Sequence, residues 1–213
     1  DVLLNHARHH MGGDLASGLI ITLIDVWVLD PAVLAQANVA CIVPIDHEPA
    51  PEAVLKVLRE SGAVPIAMSR HGQRMLTDAG LDALYVPHAI DTDLYSPGDR
   101  TEARDALGLP HEAFIVGMVA ANKGTPPRKG WPQAIESFAA FQRTHTDAIL
   151  YMHTEPHGIV QGVNIPAILA ANNVPVEAVR FGESQAALLG APHTRMRDLY
   201  RAFNVLLNPS YGE

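Results

Sequence analysis

Cysteine is almost absent from this sequence, which has one such residue, Cys41, among 213. A single cysteine excludes an internal disulfide and any metal site built from several thiolates. Because Cys41 lies in the apolar run Val39–Val43, we expect a buried and unreactive thiol. A chain without disulfides suits a reducing compartment, so we expect the protein in the cytoplasm.

Long apolar runs and an excess of positive charge are also missing. No run approaches the ~20 residues that span a bilayer. The apolar-rich stretch 15–29 is interrupted by Asp25 and lacks the basic flank and cleavage site of a signal peptide. A formal net charge of -8 argues against a broad basic face, so we expect no nucleic-acid partner.

Short apolar runs alternate with helical patterns along the chain, which predicts an α/β fold of doubly wound, buried parallel sheets. The runs are too apolar for half-exposed strands, and the helices would supply right-handed crossovers. The predicted strands are Leu19–Thr22, Val39–Pro44, Val64–Ala67, Ala83–Val86, Phe114–Val119, Ala148–His153, Val179–Phe181 and Val205–Leu207. The predicted helices are Pro31–Ala37, Pro51–Ser61, Ser69–Ala79, Thr101–Leu107, Trp131–Thr144, Ile165–Ala171 and Arg195–Phe203.

A linker composition at Ser96–Arg100 is followed by a fresh strand–loop–helix pattern. We therefore predict two Rossmann-like domains, 1–97 and 98–213, each incomplete. The second ends at Asn208–Glu213, directly after a buried-type strand, and the chain begins in the middle of a pattern. We expect a fragment of a longer protein.

The loop Lys123–Gly130, with the sequence KGTPPRKG, is the most informative feature of the chain. It follows a predicted strand and opens a predicted helix, where unpaired backbone N–H groups and the positive end of the helix dipole lie. Lys123, Arg128 and Lys129 add three cations, so the loop predicts a phosphate or diphosphate site. The alternative is a solvated basic loop without a ligand.

Four segments in order resemble the GT-B glycosyltransferases of the retaining family 4 type, also called glycosyl transferase group 1. Val86–Pro97 resembles the V-P-[NH]-G-[IV]-D-x-x-x-F-x-P segment, and Gly117–Gly130 resembles the G-R-x-x-x-x-K-G donor-phosphate loop. Met196–Ser210 resembles the L-Y-x-x-A-D-V-x-x-x-P-S helix and strand, and Ser210–Glu213 resembles the opening of S-x-x-E-x-F-G-x-x-x-x-E-A. Together the segments cover most of residues 64–213, and residues before 60 match only loosely.

The sequence departs from this family pattern in ways that bear on function. Lys123 stands, slightly shifted, where the family has arginine, and a lysine holds phosphate as a point charge without a planar fork. Asn204 replaces the common aspartate of A-D-V. The second glutamate of the family's E-x7-E pair would fall beyond Glu213, and the first strands with the glycine-rich acceptor loop are also absent.

The resemblance implies retaining transfer of a sugar from a nucleoside-diphosphate sugar, bound by residues 98–213, to an unknown acceptor on the side of residues 1–97. Lys123 and Lys129 would neutralise the charge that grows on the departing diphosphate. Two lysines and a helix N-terminus can replace a metal ion there, and we expect no Asp-x-Asp pair or histidine cluster with metal spacing. We therefore expect neither metal nor cofactor. We expect little turnover by 1–213 alone. The acceptor could be a glycan, a lipid or a small molecule, which leaves peripheral membrane association open.

The resemblance also implies contacts outside the cationic loop. His47 would lie near the donor sugar and acceptor, to bind a hydroxyl or move a proton; the alternative is a histidine held by Asp46 and Glu48. Glu213 would lie beside the transferred sugar. The remaining predicted substrate contacts, for several of which an ordinary loop role is the alternative, are Arg128, Gly130, Thr154, Glu155, Phe181, Gly182 and Ser210.

Two other functions stay open at this point. One is a nucleotide-sugar 2-epimerase on the same scaffold, which would need histidine and carboxylate groups placed for proton abstraction. The other is a nucleotide-binding remnant without catalysis. The Met196–Tyr200 helix and the Arg128–Gly130 loop favour the transferase.

Overall fold

The computed structural model describes residues 2–211 and forms two compact units, Asp1–Ile90 and Asp91–Glu213. Each unit contains a four-stranded sheet in which every strand pair is parallel. The α/β class and the parallel sheets are as predicted. The division into domains at residues 97 and 98 stays a prediction.

The sheet of the first unit runs in the order β1-β2-β3-β4. Because each crossover moves in the same direction, its helices lie on one face of the sheet. Their apolar side chains, including Leu34, Leu58 and Leu76, form one core with the strand residues Val39 and Cys41. The strands are β1 (Ile20–Leu23), β2 (Val39–Val43), β3 (Val64–Ala67) and β4 (Leu84–Tyr85). The helices are α1 (Val2–His10), α2 (Pro31–Leu34), α3 (Glu52–Ser61) and α4 (Arg70–Asp78), with 3-10 turns at Leu15–Ser17 and Val26–Val28.

The prediction of fully buried strands is wrong for the outer strands of this sheet. Ile21 and Leu23 of β1 are 59% and 66% exposed, and Leu84 of β4 is 54% exposed. These side chains alternate with those that face the helices, so they lie on the side that the helices do not cover. Trp27 of the first unit is also exposed, whereas Trp131 of the second unit is buried.

Cys41 is fully buried in β2, as its apolar neighbours predicted. Burial raises the pKa of its thiol above the usual range, and a neutral thiol is a poor nucleophile. The cysteine is therefore part of the packing of the first unit.

The sheet of the second unit runs in the order β7-β6-β5-β8. β6 and β7 are added on one side of β5, and β8 is then added on its other side, so the order of the sheet reverses between β7 and β8. One core lies between the sheet and α6 and α7, and another between the sheet and α5 and α9. A doubly wound sheet of this kind binds ligands where its order reverses, beside the carboxyl ends of β5 and β8. The strands are β5 (Phe114–Val119), β6 (Ala148–His153), β7 (Val179–Phe181) and β8 (Val205–Leu206). The helices are α5 (Arg100–Leu107), α6 (Trp131–Gln142), α7 (Ile165–Ala171), α8 (Ser184–Leu189) and α9 (His193–Ala202), with a 3-10 turn at Val176–Ala178.

A buried arginine joins α5 to the end of α9 in the second unit. Arg104 is 3% exposed and donates to the carbonyl of Ala202 (3.1 Å), to the carbonyl of His111 and to Asn204 Oδ1 (2.7 Å). Asn204 Oδ1 also accepts the backbone N–H of Ile115 at 2.8 Å. Asn204, which stands where the family commonly has aspartate, therefore joins β5 and α5 to the start of β8 through its side-chain oxygen.

None of the helices within residues 2–211 combines the length and the apolar character that crossing a bilayer requires.

Candidate functional site

The cationic loop lies at the carboxyl end of β5 and leads into α6. Gly130, the residue directly before α6, lies in the left-handed region (φ 70°), and the buried Trp131 begins the helix. The indole Nε1 of Trp131 donates to the carbonyl of Ala121 at 3.4 Å. Both ends of the loop are therefore anchored, while Lys123 remains exposed and Lys129 is half-buried.

The segment after β8 lies against this loop. The backbone N–H of Tyr211 donates to the carbonyl of Arg128 at 3.1 Å. A Cβ at Gly130 would lie 2.7 Å from the carbonyl oxygen of Pro209, so the close approach requires glycine. Ser210 donates its hydroxyl hydrogen to Asn208 Oδ1 at 2.8 Å. Two motifs that are 80 residues apart in the sequence thus meet at the reversal point of the sheet. Glu213 lies outside the described residues.

Thr154 and Glu155 follow β6 at the same edge of the sheet, and both are buried. The carboxylate of Glu155 accepts the backbone N–H groups of His157 (2.6 Å) and Ile159 (2.9 Å). Burial by itself would raise the pKa of this carboxyl, but these N–H groups and that of Gly158 outweigh it and hold the pKa below its usual range. Thr154 Oγ1 is buried and has no hydrogen-bond partner within residues 2–211. A direct contact of either side chain with a nucleotide stays a prediction.

Phe181 is the last residue of β7 and Gly182 follows it, next to the end of β6. The backbone N–H of Gly182 donates to the carbonyl of Met152 at 2.8 Å. A Cβ at Gly182 would lie 2.8 Å from Nδ1 of His153, so glycine allows this approach, and Phe181 is 38% exposed beside it. The backbone of this turn lies at the carboxyl edge, while the identity of the base stays open.

A cavity of about 250 Å³, lined by both polar and apolar residues, lies beside this turn and was not predicted from the sequence. Burial lowers the pKa of His153, with Arg195 adding to the effect, and burial raises the pKa of Tyr151. The position of His153 at the end of a predicted buried strand was the only signal available in the sequence. The lining residues include Tyr151, His153, Glu183 and Arg195.

His47 lies in the first unit, beyond the end of β2, and its side chain is 70% exposed. Its Nδ1 is 2.5 Å from Asp46 Oδ1, and its carbonyl lies 3.3 Å from His71 Nε2. A histidine held by its neighbour Asp46 was the alternative to a substrate contact. The substrate role of His47 stays a prediction.

The expectation that the chain has no Asp-x-Asp pair is wrong, because Asp91 and Asp93 have that spacing. Asp91 Oδ1 accepts the backbone N–H groups of Asp93 (3.0 Å) and Leu94 (3.1 Å), so its carboxylate closes a turn. Within the described residues, no group of three His, Cys, Asp or Glu side chains could hold a metal ion. Independence from metals stays a prediction.

No protein-family model matches the chain. The D-inositol 3-phosphate glycosyltransferase 1 of Catenulispora acidiphila is 31% identical over 133 residues, which are 58% of this chain and 29% of that protein. The D-inositol 3-phosphate glycosyltransferase of Acidothermus cellulolyticus is 29% identical over 130 residues, which are 60% of this chain and 28% of that protein. The chain therefore matches less than a third of the length of these curated relatives.

Solved structures of two enzymes share the fold over nearly the whole chain. Sucrose-phosphate synthase from Thermosynechococcus elongatus superposes with a TM-score of 0.65 at 20% identity, covering 98% of this chain and 53% of that one. A glycosyltransferase from Rickettsia africae gives a TM-score of 0.62 at 12% identity, covering 98% and 54%.

The two Rossmann-like parallel sheets are those of the GT-B fold, as the sequence predicted. The homologues of this chain are glycosyltransferases, which confirms the resemblance that the four motifs indicated.

Proposed function

We propose that this protein is a retaining glycosyltransferase that transfers a sugar from a nucleoside-diphosphate sugar to an acceptor hydroxyl. The observation that carries the proposal is the meeting of the cationic loop with the segment after β8. Arg128 and Gly130 lie against Tyr211 and Pro209, the residues that flank Ser210, at the edge where a doubly wound sheet binds its ligands, and Lys123 belongs to the same loop. The curated relatives carry out glycosyl transfer by name, which supports the same reaction type here.

The cations of the loop act on the leaving group. As the bond between the anomeric carbon and the diphosphate oxygen breaks, negative charge grows on the diphosphate and positive charge on the sugar. Lys123, Lys129 and the N–H groups that open α6 stabilise the growing negative charge, which accelerates the cleavage. The acceptor oxygen bonds to the anomeric carbon from the same face, and its proton passes to the departing phosphate oxygen, which gives retention.

The proposal assigns the charge-stabilising role to protein cations, without metal or cofactor. Glycosyl transfer should then proceed unchanged in EDTA. His47 and Glu213 are proposed to contact the sugar, and Phe181 and Gly182 the base. The relatives named for D-inositol 3-phosphate make this compound the first acceptor to test, followed by other polyols, glycans and lipids.

The test combines substrate screening with removal of one lysine. The purified full-length protein that contains residues 1–213 is incubated with UDP-, GDP- and ADP-sugars and the acceptor panel, and the released diphosphate and the anomeric configuration of the product are measured. Lys129→Ala should lower kcat by about a hundredfold, corresponding to ~3 kcal/mol lost with one preorganised donor. Lys56→Ala, an exposed lysine of α3 paired with Glu60 at 4.0 Å, serves as the matched control.

An unchanged rate in Lys129→Ala would remove the diphosphate role of the loop. An inverted product would refute retention, and a 2-epimer formed without acceptor would support the epimerase instead. No binding of any nucleoside diphosphate by the folded protein would favour a remnant without this function.

A further inference from the structure

Asn122, which directly precedes Lys123, is a buried amide that ties two parts of the second unit together. It is 4% exposed. Its Nδ2 donates to the carbonyls of Glu155 (2.9 Å) and Val163 (2.8 Å), and its Oδ1 accepts the backbone N–H of Val163 at 2.9 Å. Both N–H groups of the amide are used. Asn122 therefore holds both ends of the segment 155–163, called here the 155–163 loop.

Glu155 folds the loop from inside. Its two carboxylate oxygens bind the N–H groups of His157 and Ile159 at 2.6 and 2.9 Å. An ionised carboxylate that accepts backbone N–H groups makes hydrogen bonds roughly twice as strong as neutral ones. The carboxylate thus organises the first half of the loop, as Asn122 organises its ends.

Glycines let the loop pack tightly against Asn122. A Cβ at Gly162 would lie 2.4 Å from both the carbonyl oxygen and Oδ1 of Asn122. Gly158 has a positive φ of 73°, and a Cβ there would lie 2.6 Å from the carbonyl oxygen of Gly162. The loop therefore fits in one compact conformation, without room for larger side chains at these two positions.

The 155–163 loop contacts the cationic loop directly. Lys123 and Val160 form a parallel β-bridge. The hydroxyl of Thr125 donates to the carbonyl of Gln161 at 3.4 Å. The Lys123–Thr125 segment is thus paired with adjacent residues of the 155–163 loop, through the backbone at Lys123 and through the side chain at Thr125.

We propose that Asn122 and Glu155 are positioning residues, which fix the 155–163 loop as a template that holds Lys123 against the diphosphate. The inference rests on the proposed function, because it assumes that Lys123 contacts the donor. In this proposal Glu155 acts by holding the backbone of the 155–163 loop, and it does not contact the nucleotide directly. Lys123 itself is exposed and long, so a fixed backbone is what limits the positions that its ammonium group can reach.

The test is a double-mutant cycle read by calorimetric titration with UDP, GDP and ADP. Glu155→Gln keeps the size of the side chain but replaces one acceptor oxygen by a donor group. It should weaken diphosphate binding by about tenfold, since a displacement of ~1 Å at such a site can cost up to a hundredfold. In a Lys123→Ala background the same substitution should have no further effect, because coupled residues are not additive. Glu177→Gln, an exposed glutamate in the 3-10 turn after α7, is the matched control.

The outcomes separate this inference from the function on which it rests. Equal weakening by Glu155→Gln with and without Lys123 would overturn the positioning role, as would unchanged affinity in the single variant. Failure of the unmodified protein to bind any of the three diphosphates would instead overturn the proposed function. If Glu155→Gln does not fold, as judged by Trp131 fluorescence in a Trp27→Phe background, Glu155→Asp replaces it in the same cycle. Asn122→Ala should give the same coupling to Lys123.

Discussion

The buried guanidinium of Arg104 should be one of the largest single contributors to the stability of the second unit. Replacing Arg104 by methionine keeps most of the apolar stem but removes the three hydrogen bonds to Ala202, His111 and Asn204. Arg104 is 3% exposed, so little water is present to replace those bonds.

The magnitude follows from those three bonds. Each hydrogen bond from a charged donor contributes about 1.5 kcal/mol at the lower end of the measured range, which gives ~4.5 kcal/mol for three. Methionine also removes the cost of burying a charge, and that cost is real, because burial lowers the pKa of Arg104, with Arg100 adding to the effect. Allowing about 1–2 kcal/mol for the desolvation that is avoided leaves a loss of ~3 kcal/mol.

The assay can isolate the second unit because the chain has two tryptophans, Trp27 in the first unit and Trp131 in the second. A Trp27→Phe background makes the buried Trp131 the only tryptophan reporter. Urea unfolding is then followed by fluorescence in Arg104→Met and in the control Arg100→Met, an exposed arginine of the same helix. A loss of ~3 kcal/mol is a large part of the 5–15 kcal/mol typical of a domain, so the midpoint should fall clearly.

A midpoint for Arg104→Met equal to that of Arg100→Met would refute the reasoning. It would mean that the desolvation cost of the guanidinium cancels its hydrogen bonds. A change in the slope of the transition instead of the midpoint would point to an altered unfolded state.

Two further predictions concern the candidate site. Gly130→Ala should destabilise the second unit by about 2 kcal/mol and weaken diphosphate binding, because φ is 70° and a Cβ would lie 2.7 Å from the Pro209 oxygen. Urea unfolding measures the stability, and calorimetric titration measures the binding of the diphosphate. Unchanged values of both would contradict the close packing of Gly130 against Pro209. The pKa of Glu155 is lower in the folded protein than in the unfolded chain. Its carboxylate therefore stabilises the fold at pH values above the ordinary carboxyl pKa, and this stabilisation is lost as the pH falls through the folded pKa. Glu155→Gln should therefore be less stable than the unmodified protein at pH 7, with a difference that shrinks steadily below about pH 4; a difference independent of pH would argue against an ionised Glu155.

Much of the fold could be predicted because the buried strands are apolar runs between turn residues. The strands Val64–Ala67, Phe114–Val119 and Ala148–His153 have the predicted bounds, and Ile165–Ala171 is the predicted helix. The helices α1 and α8 were not predicted, because short helices are stabilised mainly by tertiary packing and carry weak local signals.

The exposure of the outer strands could not be predicted from local composition either. Ile21 and Leu84 are as apolar as the residues of the central strands, yet they are exposed. Burial depends on which face the crossover helices cover, and that is a property of strand order.

The sequence by itself determined the class of fold, the position of the cationic loop and the resemblance to glycosyltransferases. Each of these depends on local chemistry: apolar periodicity, glycine and proline in loops, and the order of short motifs. Only the tertiary structure decided three long-range contacts. The backbone N–H of Tyr211 donates to the carbonyl of Arg128, and the side-chain oxygen of Asn204 accepts a hydrogen bond from Arg104. The side chain of Asn122 donates to the carbonyl of Glu155 at the start of the 155–163 loop. The partners in these contacts are between 33 and 100 residues apart in the sequence, and pairings at such separations are set by how the strands assemble, which no local pattern encodes.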